Sequence, residues 1–417
     1  DLHIVSKRNN FLKNSYSNNL TSIDFFMKEN NNLIVPYFYA KNNNWIKNEE
    51  EEGKDKSYFN FFGNIYKNQN DIIKKAINDL EKENTCSLLL PTGFGKTIIS
   101  IYLSSKQNLK TLVLIPRKTI MKGWFNAYKK FTNANVIMFG ERKHELNENT
   151  QIILCMTKRV PKINNEILNQ IGLLIIDEAH MFCCKSSVIP ILSVRPKKII
   201  IATATLERED NLHKMMFKLV GEHHIKKKLN KIFKVIKYEN SSKIPIYKKE
   251  NGDTDFPKIE KEIYNEKYRN KLIGKICNLN KNETILILCK YEYHLLNIEN
   301  YLIKYNLEYD TLYGNKKSYK ERKILLGTIP KIGTGFDQAN FCDDFSGNYF
   351  TMVILACSIS SMPSLQQCIG RGLRQDGVVF IQIVDNNRII KNHWRKNKSW
   401  YDELKIPIET IKLNKNN

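Results

Sequence analysis

In this chain of 417 residues Lys and Arg outnumber Asp and Glu 66 to 43, a net charge of +23. That excess points to a polyanionic partner, nucleic acid before a membrane surface, although the abundance of Asn and Ile offers AT-rich coding as a second account. The 42% hydrophobic content suits a soluble globular protein, long enough for two or three domains. No apolar run approaches the roughly 18 residues of a membrane span. The nine cysteines show neither CxxC nor Cys/His spacing, which excludes a zinc module and suits the reduced thiols of an intracellular protein, cytoplasmic or nuclear.

Residues 1–60 carry no recognisable nucleotide chemistry. Asn31–Ala40 reads as a strand and Lys47–Lys56 as an exposed turn, together a small accessory domain. From residue 61 to about 222 the texture alternates between strand and helix. Ile65–Leu80 has apolar residues at helical spacing with Gln69 at its start. Strands follow at Ser87–Leu90, Thr111–Ile115, Val136–Phe139, Ile152–Met156, Leu173–Ile176 and Ile199–Ala202, with crossover helices such as Lys118–Phe131 and Asn164–Gln170. Short Ile/Leu/Val runs without alternation belong to parallel sheets buried on both faces, so the spacing predicts a doubly wound α/β lobe. A basic stretch at His223–Lys234 leads into a second series over 223–405. Its strands are expected near Thr284–Leu288, Tyr309–Tyr313, Ile324–Thr328, Thr351–Ala356 and Val378–Ile383. Residues 406–417 read as a tail, either a short helix or disordered.

The densest chemistry sits in PTGFGKT, where a strand gives way to a glycine-bearing loop and then a helix. Thr92, Gly93 and Gly95 allow the backbone to curl with its N–H groups around a polyphosphate. Lys96 supplies a point charge for the β/γ-phosphates, and the Thr97 hydroxyl is a Mg²⁺ ligand. The strict pattern places glycine six residues before the lysine, where this chain has Leu90. LLIIDEAH ends a second strand with Asp177 placed to hold Mg²⁺, Glu178 to orient and deprotonate the attacking water, and His180 beside them. Thr203 and Thr205 of TAT follow the next strand, where their hydroxyls could couple to that acidic segment. In the second half, SLQQCIGRGLRQ presents Gln366, Arg371 and Arg374; two guanidinium groups three residues apart on one helical side can meet phosphate oxygens bidentately. GTIPKIGTGFD adds Gly333 and Gly335 in a turn and Asp337, read as a ribose or arginine contact.

In order, these motifs resemble superfamily 2 helicases over Gln69–Arg374. Gln69 is similar to the adenine-reading glutamine, LIPRKTIMKGW to motif Ia, MTKR to Ib and LILCKYEYHLL to IV; GTIPKIGTGFD is similar to V and QQCIGRGLR to VI. The resemblance implies two tandem RecA-like lobes using ATP and Mg²⁺, with Pro116, Arg117, Thr157 and Thr328 facing nucleic-acid phosphates and Lys118, Lys158 and Arg159 adding to that track. PTGFGKT and TAT differ from the GETGSGKT and SAT of DEAH-type RNA helicases. The Pro116, Arg117, Trp124 pattern is closer to the poxvirus-type and T-even-phage-type DNA helicases and the type III restriction motor subunits. VPYF also resembles the VPRF of the viral group, with Tyr37 in place of the arginine. The implied activity is an ATP-dependent DNA helicase or translocase; an RNA helicase or transcript-releasing translocase, and an ATP-gated clamp that does not unwind, are the alternatives.

Overall fold

A computed structural model describes residues 2–5, 22–45, 56–141, 145–208, 210–227, 232–332 and 336–413. Most of the turn expected at Lys47–Lys56, and both Gly333 and Gly335, lie outside the described residues. The chain divides into two units, Asp1–Lys228 and Leu229–Asn417.

The first unit begins with two small antiparallel pairs, β1 (His3–Val5) with β2 (Ser22–Asp24) and β3 (Met27–Glu29) with β4 (Asn32–Ile34). The strand expected over Asn31–Ala40 stops at Ile34, and Tyr37–Asn42 is helical. Pro36 explains the change: it cannot donate to a strand ladder, yet its fixed φ suits a helix entry. Tyr37, which stands in place of the viral arginine, accepts a hydrogen bond through its hydroxyl from Asn84 Nδ2 at 2.9 Å. The main sheet follows: β5 (Thr85–Leu89), β6 (Thr111–Ile115), β7 (Val136–Met138), β8 (Ile152–Met156), β9 (Leu173–Asp177), β10 (Lys198–Thr203) and β11 (Ile225–Lys226). All seven are parallel, in the order β11-β5-β10-β9-β6-β8-β7.

Alternate residues of each strand enter opposite apolar layers. Leu112, Leu114, Leu174 and Ile176 pack on one face with Ile4, Ile23 and Phe25 from the N-terminal segment; Val113, Ile115, Leu173 and Ile175 pack on the other with Trp124 and Tyr128. Both faces are dry, which is why the runs show no polar alternation. Each fully buried Leu or Ile contributes about 1.5–3 kcal/mol.

The second unit repeats the plan with β12 (Phe233–Lys243), β13 (Ile285–Cys289), β14 (Tyr309–Leu312), β15 (Ile324–Thr328), β16 (Met352–Leu355), β17 (Val378–Asn386) and β18 (Ile408–Leu413). These are parallel in the order β14-β15-β13-β16-β17-β12-β18. The tail expected to be a short helix or disordered is therefore the edge strand β18, paired with β12 from Val235↔Ile408 to Asn240↔Leu413. Its β-branched Ile408, Thr410 and Ile411 favour extended backbone once β12 offers an edge. Each unit is a RecA-like doubly wound lobe. Beneath the second sheet's rim, Arg269 and Asp385, 1% and 2% exposed, form a buried ion pair at 3.0 Å. The guanidinium also donates to Ala356 O at 2.8 Å, so the buried charges are well satisfied.

Candidate nucleotide site and the carboxyl rims

In a parallel sheet the loops after the strands share one rim, the usual ligand position in open α/β folds. On lobe one, PTGFGKT follows β5, TAT follows β10 and the acidic segment follows β9, on three adjacent strands. Gly93 and Gly95 both lie in the left-handed region, at φ +83° and +94°. A Cβ on Gly95 would also stand 2.5 Å from Gln69 Nε2, so a side chain there would add backbone strain and displace the Gln69 amide. Gln69 is buried and clamps the loop, accepting from Tyr66 N at 3.0 Å and donating to Phe94 O at 2.9 Å. Helix Lys96–Gln107 starts at the lysine. Lys96 Nζ donates to Leu90 O at 3.0 Å and Pro91 O at 3.3 Å, curled over the loop it belongs to. The backbone N–H of Leu90, in the place of the missing glycine, donates to Thr203 O at 3.0 Å. Thr92 and Thr97 are half-buried on the same loop and first helical turn.

The acidic segment is buried. Asp177 Oδ2 accepts from Trp124 Nε1 at 2.6 Å, and Oδ1 accepts from Glu178 N at 3.0 Å. Burial, then the adjoining Glu178 carboxylate, push the Asp177 pKa up, while Trp124 and Lys96 pull it back. Glu178 sits at φ +53°, a conformation costing a non-glycine residue about 1–2 kcal/mol. Its Oε2 is buried without a hydrogen-bond partner, 3.6 Å from His180 Nδ1. His180 Nδ1 lies 2.8 Å from Thr203 Oγ1, which itself donates to Thr205 O at 2.8 Å. With the single Thr203 proton so used, the imidazole Nδ1–H is the donor. Burial holds the His180 pKa below its usual value, so the ring is neutral near pH 7. The Thr203 hydroxyl and His180 of the acidic segment thus lie in one hydrogen-bonded chain, which Arg208 extends by donating to His180 O at 2.9 Å, whereas the Thr205 hydroxyl is buried without a hydrogen-bond partner and joins only through its carbonyl.

A loop with two left-handed glycines, a lysine, a hydroxyl and a buried pair of carboxylates, one oxygen orphaned, fits a nucleotide polyphosphate with Mg²⁺. Thr97 and Asp177 have the hard oxygen donors Mg²⁺ takes.

Further along the rim, Pro116 and Arg117 follow β6 and Thr157 follows the neighbouring β8. Arg117 is exposed, Pro116 and Thr157 half-buried. Lys118 and Arg159 are engaged within the protein: Lys118 Nζ meets Glu141 at 2.6 Å, and Arg159 donates to Phe139 O at 3.0 Å. Lys158 is exposed.

On lobe two, Arg371 and Arg374 lie in and just past helix Met362–Gly372, which also carries the half-buried Gln366. Arg371 Nη1 donates to Phe336 O at 2.9 Å. Arg374 Nη2 donates to Asp337 Oδ2 at 2.6 Å, while Asp337 Oδ1 caps helix Gln338–Phe341 by accepting from Ala339 N at 3.1 Å. The structure therefore places Asp337 against an arginine. Thr328 is 5% exposed at the end of β15.

The residue missed by motif reading is Trp124. In sequence it reads as part of a nucleic-acid motif; in the fold it is 1% exposed and its indole holds a carboxylate. Helical spacing carries the signal, since Ile120, Met121, Trp124 and Tyr128 form the buried face of helix Lys118–Phe131.

Residues 63–208 match the family described as type III restriction enzyme, res subunit. "Putative helicase 161L" of Invertebrate iridescent virus 6 is 28% identical, over 98% of this chain and 93% of its own. "Putative ATP-dependent RNA helicase L396" of Acanthamoeba polyphaga mimivirus is 26% identical, over 87% of this chain and 72% of its own. Among solved structures, S. cerevisiae Dbp5 bound to RNA and ADP BeF3 superposes with a TM-score of 0.57 at 14% identity, covering 82% of this chain and 89% of that one, a likeness of fold. The chain resembles superfamily 2 helicases, viral helicases and type III restriction subunits among them. That resemblance brings with it ATP hydrolysis, normally with Mg²⁺.

Proposed function

We propose that this protein is an ATP-dependent DNA helicase or translocase whose lobe-one rim hydrolyses ATP while both rims follow nucleic-acid phosphates. The observation that carries the reading is Glu178: a buried carboxylate in a strained backbone conformation, with one oxygen unpartnered beside the phosphate loop. A fold retains an uncompensated acid of that kind where the acid has work to do. When bound, Mg²⁺·ATP supplies the phosphoanhydride and the metal charge that stabilises its cleavage.

This chain's residues then divide the task. The loop N–H groups and Lys96 bind the phosphates, and Gln69 orients the loop and reads the base. Thr97 and Asp177 hold the metal, with Trp124 fixing the Asp177 carboxylate. Glu178 Oε2 takes the proton of the attacking water. His180, Thr203 and Thr205 relay the state of Glu178 to the neighbouring strand, and Gln366 is a coupling residue of lobe two. Arg371 and Arg374 supply guanidinium groups for γ-phosphate oxygens. Pro116, Arg117, Thr157 and Thr328 contact phosphates and so position without reading sequence. Preference for DNA rests on the Pro116–Arg117–Trp124 pattern and on PTGFGKT and TAT. Division of the chain into an accessory segment before residue 61 and lobes meeting near 222–228 belongs to the same proposal.

An RNA-directed motor is the second reading, favoured by the name of the mimivirus relative. Steady-state ATP hydrolysis decides between them, measured alone and with single-stranded, duplex and forked DNA and RNA, with Lys96→Ala as background. Stimulation by DNA supports the first reading, and equal or greater stimulation by RNA replaces it with the second. No stimulation by any of them leaves an ATP-gated clamp.

A further inference from the structure

At the far edge of the lobe-two sheet the rim opens into two adjoining cavities of about 410 and 480 Å³, which share Asn386, Lys391 and Arg395. Six cations line them: Lys237, Lys243, Arg388, Lys391, Arg395 and Lys412. They come from β12, β18 and the helix Arg388–Glu403. All but Lys237 are exposed. Among the described residues the single carboxylate in either lining is Glu239, and it is paired with Lys237. Asp385, just below, is buried and committed to Arg269, so it cannot neutralise the group.

Some donors are used locally, but few. Lys391 Nζ donates to Asn386 Oδ1 at 2.6 Å and Arg395 Nη1 to Asn392 Oδ1 at 2.7 Å. An ammonium has three donors and a guanidinium five, so both side chains keep donors for a ligand. Like charges so close together repel in the free protein, and an anion that bridges them relieves that repulsion. Lys, Arg, Ser and Asn are the residue types that bind phosphodiester oxygens, and Ser241 and Asn386 complete the lining.

We propose that this basic edge is a second contact for the nucleic-acid backbone, remote from the Thr328 contact and resting on the reading above. Because β12 lies four strands from β15 in the sheet, the two sites are separated by roughly 19 Å along the rim at about 4.8 Å per strand. At about 3.4 Å per nucleotide that distance spans roughly five or six nucleotides. The nucleic acid so held extends beyond the motif-bearing strands, along the β17-β12-β18 edge.

The test compares the full chain with its Lys391→Glu/Arg395→Glu variant, both exposed positions, and with a second variant, Lys243→Glu/Arg388→Glu. Binding to single-stranded oligonucleotides is followed by fluorescence anisotropy across a salt series, using strands of about three nucleotides, too short to bridge the two sites, and strands about seven times longer. Each lost contact should lower the slope of log K against log salt by about 0.7, so a double variant loses about 1.4 on long strands. Short strands, which reach only one site, should keep most of their affinity for the variants. Equal slopes for variant and wild type on long strands overturn the proposal, as does an equal loss on both lengths, which is a general charge effect. Displacement of long strands by polyglutamate as effective as by competitor DNA overturns it in favour of an acidic protein partner. If wild type binds no oligonucleotide of either length while still hydrolysing ATP, the nucleic-acid reading itself falls and this contact with it.

Discussion

The two lobes are the same seven-stranded parallel sheet built twice, yet their rims differ in kind. The lobe-one rim is buried and strained. It carries two left-handed glycines, a left-handed glutamate, a carboxylate whose pKa is raised by burial and a carboxylate oxygen without a partner. The lobe-two rim is cationic and less strained: Arg371 is buried and tied to a backbone carbonyl, Arg374 is tied to Asp337, and the edge cations such as Lys391 and Arg395 are exposed. Burial raises the energy of unpaired charge and strengthens every field inside it, so a lobe that performs chemistry tolerates instability there. A lobe that grips a polyanion needs charge in water, where it costs little.

Substitutions can break this contrast. The largest effect is expected at the strained rim: Lys96→Ala and Glu178→Gln should each lower ATP turnover by about 10³-fold while leaving nucleic-acid affinity within a few-fold. Single-turnover hydrolysis beside anisotropy binding checks both halves. Arg374→Ala should cost nearly as much, about 10³-fold in kcat, if the guanidinium acts on phosphate. Asp337→Asn, which keeps the arginine but loosens its hold, should cost less; if the two losses match, the carboxylate has a task of its own.

Trp124→Phe removes one N–H from Asp177 while keeping an apolar ring. We expect about a tenfold rise in the Mg²⁺ concentration needed for half-maximal hydrolysis, with a smaller change in kcat, the usual size of an outer-shell effect. An unchanged Mg²⁺ requirement would confine the indole to packing.

Glu178→Gly isolates the strain. It should lower turnover about as far as Glu178→Gln does, yet unfold at a temperature some 2–4 °C higher than Glu178→Gln, since about 1 kcal/mol of left-handed strain is released. Equal melting temperatures would mean the backbone conformation is not costly.

The smallest effect concerns acid. His294, fully buried beside Arg269, has a pKa held well below its ordinary 6.5 by burial first and by the arginine second. The folded state then binds fewer protons than the unfolded one between its depressed pKa and 6.5. Stability therefore rises with pH through that window and is lost as pH falls below about 6.5. His180 adds the same sign in lobe one. Urea unfolding at several pH values should show that slope, shallower in His294→Gln; an identical slope would assign the dependence to other groups.

Much of this was legible in the chain, for physical reasons that can be named. Thr111–Ile115, Ile152–Met156 and Ile324–Thr328 are strands at the bounds expected, because residues buried on both faces leave unbroken apolar runs. The phosphate loop was legible because glycine is the residue that takes the left-handed backbone of Gly93 and Gly95 without strain. What failed to show was tertiary. The left-handed Glu178 has no local signature, and the bond from Trp124 to Asp177 joins residues 53 apart. β18 was missed because six residues of mixed character become a strand only when an edge is waiting for them. Tyr37–Asn42 was misread because the β-favouring Tyr and Phe beyond Pro36 outweighed the helix entry that the proline opens.

That waiting edge bears on how the protein is made. β12, the first strand of lobe two, is flanked by β17 and β18, so its neighbours arrive more than a hundred residues later along the chain. Lobe one can fold on the ribosome while the rest is still being translated, but lobe two stays open until residue 413 has emerged. Until β17 arrives, the eleven-residue β12 has neither neighbour, and until β18 arrives its second edge stays unpaired, a template for another nascent chain. A messenger cut short before Ile408 would release a product with a finished first lobe and a second lobe whose β12 edge is uncovered, suited to clumping and to chaperone capture.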